Sequence, residues 1–315
     1  MKAFEKLEKY FGQKPKTHLT MGVEMECYLW DCFEQRLLNK EEVINKVLDE
    51  LPQVITRDYY TYQLEIRTTP HNTVEELMKE FKRNMELSEK VCQKYDLRII
   101  PLSWMGGNEM FNGMHFHFRN GSKNNFEQTM FNIYPFILAL TDVFKFSPFT
   151  QNVLSRRFQS SPHFSLPNMY EMVKSCRFSD VCMNMNKENN RHRLKSVNTI
   201  EIRTFDLPFN LKHMNNLAGL LFNIMAFIKT HEKITGHDTL SKLTEQLSST
   251  RTSIKNNPVG YNHLFRLYNV EIYRWLCDNF NQEVLPLPFD LTHTIDLSYY
   301  VNSVTSRTFL EGGEE

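Results

Sequence analysis

Four segments of the chain alternate apolar and polar residues with a period of two. In "GVEMEC" (22–27), Glu24 and Glu26 fall on one side and Val23, Met25 and Cys27 on the other, because residues i and i+2 of a strand share a face. In "YQLEIRT" (62–68), Gln63, Glu65 and Arg67 oppose Leu64 and Ile66. In "GMHFHF" (113–118), His115 and His117 oppose Met114, Phe116 and Phe118. In "TIEIRTF" (199–205), Thr199, Glu201 and Arg203 oppose Ile200 and Ile202. Each segment therefore has a greasy face and a titratable one. The alternation predicts strands over 18–31, 60–68, 114–118 and 197–205, with further strands at 97–104 and near 178–186.

Helical spacing predicts helices over 1–12, 39–51, 73–95, 125–144 (kinked at Pro135), 210–232, 239–249 and 262–280. An Asn stands where it can cap the 39–51 helix, and Thr73 with Glu76 has capping-box spacing. Strand runs joined like hairpins and mixed with helices give an α+β class, in which the helices cover the greasy faces. No repeat or linker divides the chain. It reads as one domain over 1–315: a sheet-rich core at about 18–206, a helical part at about 207–285 and a tail at 286–315.

Composition narrows the classes of function. Twenty-four Phe and 13 Tyr exclude a disordered chain. Lys plus Arg equal Asp plus Glu at 37 each, so no general nucleic-acid or acidic-membrane surface is expected. The longest apolar candidate, 217–228, has the length of a buried helix rather than of a membrane span. The N-terminus is charged and amphipathic, which does not read as a signal peptide, and the six cysteines are scattered without a CxxC pair. A cytoplasmic protein with reduced thiols is the expectation.

Alternation by itself is the ordinary mark of a sheet with one wet face. The residues at the wet positions are less ordinary. They include four glutamates and two histidines, with an arginine closing two of the strands. Neighbouring strands lie about 4.8 Å apart, so carboxylates gathered on one face repel unless cations sit among them. Carboxylate oxygens with an imidazole suit hard divalent cations such as Mg²⁺ or Mn²⁺. An arginine two residues beyond a metal-binding carboxylate suggests a polyphosphate, whose remaining charge a guanidinium can fork onto. No GxxxxGK[ST] and no GxGxxG is present, which argues against a P-loop or dinucleotide fold.

E-x-E, then Gln-x-Glu, then Asn-Gly-Met-His-x-His, then Ile-Glu-Ile-Arg, in that order over residues 18–206, resembles the glutamine synthetase and glutamate–cysteine ligase superfamily of carboxylate–amine ligases. "NGMHFH" is the most specific piece. The resemblance, closest to the compact amidoligase-like branch, implies a curved, mostly antiparallel sheet with helices on its convex face. It also implies ATP and two or three Mg²⁺ or Mn²⁺ ions on the concave face. Carried over residue by residue, Glu26 and Glu65 would hold the metal on the acceptor side, while Glu24, His115 and Glu201 would hold the metal bridging ATP phosphates. His117 would contact phosphate, Arg203 would neutralise the transferring group, and Asn112 and Gly113 would place the carboxylate substrate, with Arg67 also on the substrate side.

Two positions depart from the pattern. The region before Gln63 lacks a further metal-binding glutamate, for which Asp58 can stand in. Thr199 occupies the place of an arginine. Compensating phosphate and substrate contacts then fall to Arg191, Arg193 and Lys195 and to Arg156 and Arg157, residues that read equally as solvated basic turns. The segments 145–165 and 186–196 are the candidate lids. The implied reaction joins a small-molecule carboxylate of glutamate type to an amine through an acyl phosphate, forming ADP. A homo-oligomer is compatible with the resemblance. Alternatives are a phosphagen-kinase-like phosphotransferase of the same fold, a catalytically inactive ligand-binding relative, and a metal-dependent hydrolase that does not use ATP.

Overall fold

The computed structural model describes residues 19–103, 112–120, 183–185, 199–208, 210–231, 270–286 and 306–311, with part of 133–144. The helices expected at 1–12 and 239–249 and the kink at Pro135 lie outside the described residues. The described strands form one eight-stranded sheet, every pairing antiparallel. They are β1 (Leu19–Asp31), β2 (Arg36–Leu37), β3 (Ile55–Arg57), β4 (Gln63–Arg67), β5 (Leu97–Ile100), β6 (Met114–Asn120), β7 (Met183–Met185) and β8 (Ile200–Phe205). Their order is β3-β4-β1-β6-β8-β7, with β2 and β5 also paired to β1.

At 13 residues, β1 is long enough to take two partners along each edge. β4 (at 24–28) and β2 (at 30–31) share one edge; β6 (at 19–25) and β5 (at 28–31) share the other. The short strands β2 and β3 were not expected from the alternation, because two or three residues carry no readable period.

The greasy faces behave as the pattern requires. Val23, Met25, Cys27, Leu64, Ile66, Phe116, Phe118, Ile200 and Ile202 are all buried in one core. Three helices supply its other wall: α1 (Glu41–Asp49) with Ile44 and Val47, α2 (Val74–Gln93) with Leu77, Phe81 and Met85, and α3 (Leu211–His231) with Leu217, Leu221 and Ile224. Residues 270–280 are also helical and add Ile272, Tyr273 and Leu276. Among the described residues the cysteines are free thiols, and burial pushes Cys92 up to about 12. No helix of the described residues is long and apolar enough to cross a membrane.

Helix starts show how narrow the capping rule is. Thr73 caps α2 as expected, its Oγ1 accepting from Glu76 N at 3.2 Å. At α1 the expectation fails: Lys40 is the cap residue and makes no side-chain cap bond. The helix begins one residue later than the Asn39 cap requires, so that side chain is a position too early to reach the first-turn amides.

The turn from β4 into α2 is fastened to β1 and to the helix. His71 and Met21 exchange backbone hydrogen bonds at 2.8 Å each, and Val23 N donates to Thr68 Oγ1 at 3.1 Å. Glu80 accepts from Thr69 N at 3.0 Å and Thr69 Oγ1 at 2.7 Å and pairs with His71; Asn84 Nδ2 donates to Arg67 O at 2.8 Å. Burial alone would raise the Glu80 carboxyl, but the bonds from Thr69 and His71 outweigh it and hold the group below its ordinary value of 4.5.

Two outcomes follow for stability. Ile202→Ala should lower the unfolding free energy by about 2–5 kcal/mol, whereas Phe33→Ala, at a side chain 87% exposed, should change it by less than about 0.5 kcal/mol in the same urea titration. Because the folded pKa of Glu80 is depressed, its contribution is fully present above the ordinary value and is lost as pH falls through the folded value. Glu80→Gln should therefore cost about 1 kcal/mol at neutral pH, with a deficit that shrinks in urea titrations carried below pH 4.5.

Candidate functional site

Register decides which polar side chains meet. On the wet face Glu24 lies opposite Arg67 of β4 and His115 of β6, Glu26 lies opposite Glu65, and His117 lies opposite both Gly22 and Glu201. A shift in the β6–β8 ladder between Met114 and Phe116 places residues 203 and 204 together opposite His115. The extra residue returns Phe205 to the apolar side, where its ring meets Phe116 edge-on at 5.8 Å, while Arg203 stays beside Glu201.

Two groups result. Glu24, His115 and Glu201 each offer a ligand atom within 4.8 Å of the others, and so do Glu26, Asp58 and Glu65. His115 stands between them, its Nδ1 3.6 Å from Glu24 Oε2 and 3.8 Å from Glu201 Oε1, its Nε2 3.7 Å from Glu26 Oε1. His117 Nε2 is 3.1 Å from Glu24 Oε2 and 4.0 Å from Glu201 Oε1. That nitrogen is buried and aligned with neither carboxylate as a hydrogen-bond donor, so its contacts are ion-pair contacts.

The two groups are electrostatically unlike. Burial would raise Glu24, but His115 and His117 together outweigh it and hold the carboxyl far below the usual range. Burial would lower His117, and Glu24, then Glu201 and Glu65, raise it above its ordinary value. Glu65 goes the other way. Burial first, then the charge of Glu24, push it up to about 7 against the pull of Arg67 and Thr56.

Three of the carboxylates, Glu65, Glu26 and Glu201, are oriented by a partner behind them. Thr56 Oγ1 donates to Glu65 Oε2 at 3.0 Å and accepts from the Arg67 guanidinium at 2.9 Å; Arg67 also donates to Val54 O at 3.2 Å and lies 3.4 Å from Glu65 Oε2. Gly113 N donates to Glu26 Oε2 at 2.7 Å. Arg203 donates to Glu201 Oε1 at 3.1 Å. Thr199 Oγ1 lies 3.4 Å from His117 Nδ1, so the residue in the expected arginine's place supports an imidazole.

Asn112 and Gly113 are both buried. Asn112 Nδ2 donates to Leu102 O at 3.1 Å and its Oδ1 accepts from Gln63 Nε2 at 3.0 Å. The amide is thus used to join the start of β6 to the end of β5 and to β4. Arg67 likewise serves Glu65 and Val54. Arg156, Arg157, Arg191, Arg193 and Lys195, and both candidate lids, lie outside the described residues.

Sequence reasoning gave Gln63 no role beyond its place in the motif. Wholly buried, it accepts from Tyr60 N through Oε1 at 3.2 Å, and its backbone N donates to Tyr60 O at 3.0 Å. Asp58 N in turn donates to Gln63 O at 3.3 Å. Gln63 therefore shapes the turn that brings Asp58 to Glu26 and Glu65. The signal was present: an amide two residues before a site carboxylate, on the wet face of a strand, had no solvent role to fill.

No family model and no curated protein matches the sequence. Solved structures do share the fold. A bifunctional glutathione synthetase from Pasteurella multocida superposes with a TM-score of 0.50 at 14% identity, over 95% of this chain and 47% of its own. The ligase PafA, in complex with the prokaryotic ubiquitin-like protein Pup, superposes with a TM-score of 0.51 at 8% identity, over 93% of this chain and 65% of its own. A glutamate–cysteine ligase from Francisella tularensis in complex with AMP gives 0.44 at 11% identity, over 91% and 97% of the two chains. The chain spans about half to two thirds of the length of the first two. The expected architecture, a mostly antiparallel sheet backed by helices, is the fold of this chain, and it is shared with the glutathione synthetase and with PafA.

Gln63→Ala leaves the Asn112 carboxamide oxygen and Tyr60 N without their buried partner. It should lower the unfolding free energy by about 1–3 kcal/mol in urea titrations and alter the near-ultraviolet circular dichroism of the adjacent tyrosines.

Proposed function

We propose that the chain is an ATP-dependent carboxylate–amine ligase that forms an amide, on a glutamate-type carboxylate, with release of ADP and phosphate. The observation that carries this reading is the pair of adjacent ligand groups, Glu24/His115/Glu201 and Glu26/Asp58/Glu65, on the wet face of one sheet. Five carboxylates and two imidazoles, His117 Nε2 lying 3.1 Å from Glu24 Oε2, form a donor set suited to hard divalent cations. Mg²⁺ or Mn²⁺ fits both groups, with Asp58 in the place of the glutamate that the motif pattern leads one to expect.

ATP, when bound, would supply the phosphoryl group that converts an unreactive carboxylate into one an amine can attack. The chain's own residues do the rest by position and charge. Glu24, His115 and Glu201 would hold one divalent cation, for the nucleotide, and Glu26, Asp58 and Glu65 would hold another, for the acceptor. His117 and Arg203 both lie beside Glu201, where they would contribute positive charge to a bound triphosphate. Arg67 and Thr56 act through Glu65, Gly113 through Glu26, Thr199 through His117, and Asn112 through Gln63 and the turn that carries Asp58. Arg191 and Arg193 are assigned to phosphate and Arg156 and Arg157 to the carboxylate substrate, on their place in the sequence alone. No side-chain nucleophile is required, because the attacking atoms belong to the substrates.

The test is Mg²⁺-dependent thermal stabilisation by a non-hydrolysable ATP analogue, followed by joint assay of ADP and amide with glutamate and a panel of amines. Wild type should show both, and Glu201→Ala should lose the stabilisation and about a hundredfold or more of turnover. Ile202→Ala should keep nucleotide binding at a temperature where it remains folded. Undiminished metal-dependent ATP turnover in Glu201→Ala refutes the site, and ADP with a phosphorylated product but no amide identifies a phosphotransferase.

A further inference from the structure

The helical layer, across the sheet from the acidic groups, holds a groove of about 480 Å³ between α2 and α3. Met78 and Gly219, both buried, form its floor, and Val74 adds apolar surface from the first turn of α2. Asn215 and Asn223 of α3 and Gln282, just beyond the 270–280 helix, bring three carboxamides to it, and the exposed Glu75 brings a carboxylate. Among the described residues, none of these four side chains has a hydrogen bond or an ion pair within the protein.

The Gln282 carboxamide is held in place all the same. Asn281 takes a left-handed φ of 52° and ends the 270–280 helix, and Gln282 N donates back to Cys277 O at 2.9 Å. The residues that follow are clasped: Asn216 Nδ2 donates to Glu283 O at 2.7 Å, and Leu285 N donates to the Tyr273 hydroxyl at 3.0 Å. Gln282 is thereby laid against the backbone of α3. A Cβ at position 219 would stand 2.9 Å from Gln282 Oε1 and 3.0 Å from its Nε2, so any side chain there would displace the carboxamide. Glycine is a poor residue for a helix interior, and what it admits here is an amide that bonds to nothing in the protein.

Asn215, Gly219 and Asn223 lie at i, i+4 and i+8 on one face of α3, and Gln282 is seated on the middle position. The carboxamides therefore follow one another at intervals of about 6 Å along the helix. In an extended peptide, alternate residues present their N–H and C=O to the same side at intervals of about 6.6 Å. A carboxamide has one donor end and one acceptor end, the complement of one such residue. We propose that this groove binds an extended segment of a partner polypeptide through its main chain, with an apolar side chain on Met78 and Val74 and a lysine or arginine at Glu75. About four residues span the row. A helical segment would have its main-chain groups occupied internally. A polyol would suit the carboxamides but would use neither their repeat nor the charge of Glu75.

The experiment follows the side-chain amide resonances of Asn215, Asn223 and Gln282 in the ¹⁵N-labelled full chain. The probes are the blocked peptide acetyl-Ala-Lys-Leu-Lys-Ala-amide, its fully N-methylated counterpart, its counterpart with Glu for Lys, and sucrose. The lysine peptide should shift all three resonances, and the other two peptides should bind at least about fivefold more weakly. Gln282→Ala and Gly219→Ala should each weaken the lysine peptide by about fivefold, with no further loss when combined, and Gln282→Ala should keep the wild-type melting temperature. Glu201→Ala should bind the peptide as wild type does, so the outcome does not turn on the ligase reading. Unmoved resonances, equal binding of the N-methylated peptide, or undiminished binding by Gln282→Ala overturns the proposal. Sucrose moving the three resonances where the peptide does not makes the groove a polyol site and overturns it as well.

Discussion

Gathering like charges on one face of a sheet is the constraint that the rest of the molecule accommodates. Five carboxylates lie on or beside the wet faces of β1, β4 and β8. Antiparallel pairing fixes their neighbours, and the sequence interleaves His115 and His117 so that Glu24 and Glu201 have imidazoles beside them. The opposite face secures this arrangement. A slip of one residue would turn Val23, Met25, Phe116 and Ile202 toward water and the glutamates into the core. Apolar burial on one side thus enforces a charge arrangement that would otherwise disperse.

Within that patch, environment makes two kinds of carboxylate from one residue type. Glu24 is nearly as enclosed as Glu65, yet histidines hold it deprotonated while burial and the Glu24 charge push Glu65 up to about 7. Thr56 and Arg67 limit that rise by engaging Glu65 Oε2 from behind. The half of the site on β6 and β8 is compensated by His115, His117 and Arg203, whereas the acceptor-side half has Arg67 beside Glu65 and shares His115, whose Nε2 is 3.7 Å from Glu26 Oε1. Divalent charge would therefore change the acceptor-side half more.

Much of this was legible in the chain because a strand's period is short and strict. Alternation alone puts Glu24 and Glu26, Glu65, His115 and His117, and Glu201 each on the polar face of its own strand, and the strand pairing makes those faces one surface. Register was not legible: nothing in the period sets Glu24 against His115, or inserts the extra residue of β8 that sends Phe205 back to the core. Side-chain employment was not legible either. The motif order gives no sign that Asn112 also donates to Leu102 O and accepts from Gln63, or that Arg67 also donates to Val54 O and Thr56. The cap at Asn39 failed by a single residue, the usual scale on which propensity loses to packing.

Asp58 shows why the hairpin turn matters as a unit. A carboxylate on a regular strand is placed by its register; one on a turn has no register and needs a local brace. Gln63 is that brace, and its reach across to Asn112 ties the turn to the loop that also orients Glu26 through Gly113 N. Both members of the Glu26–Asp58 pair are thus positioned from one buried amide cluster, although 32 residues separate them along the chain. The same cluster fixes the backbone on either side of Tyr59. A change at Gln63 must therefore disturb both carboxylates together, whereas a change at the exposed Tyr59 side chain leaves the amide cluster in place.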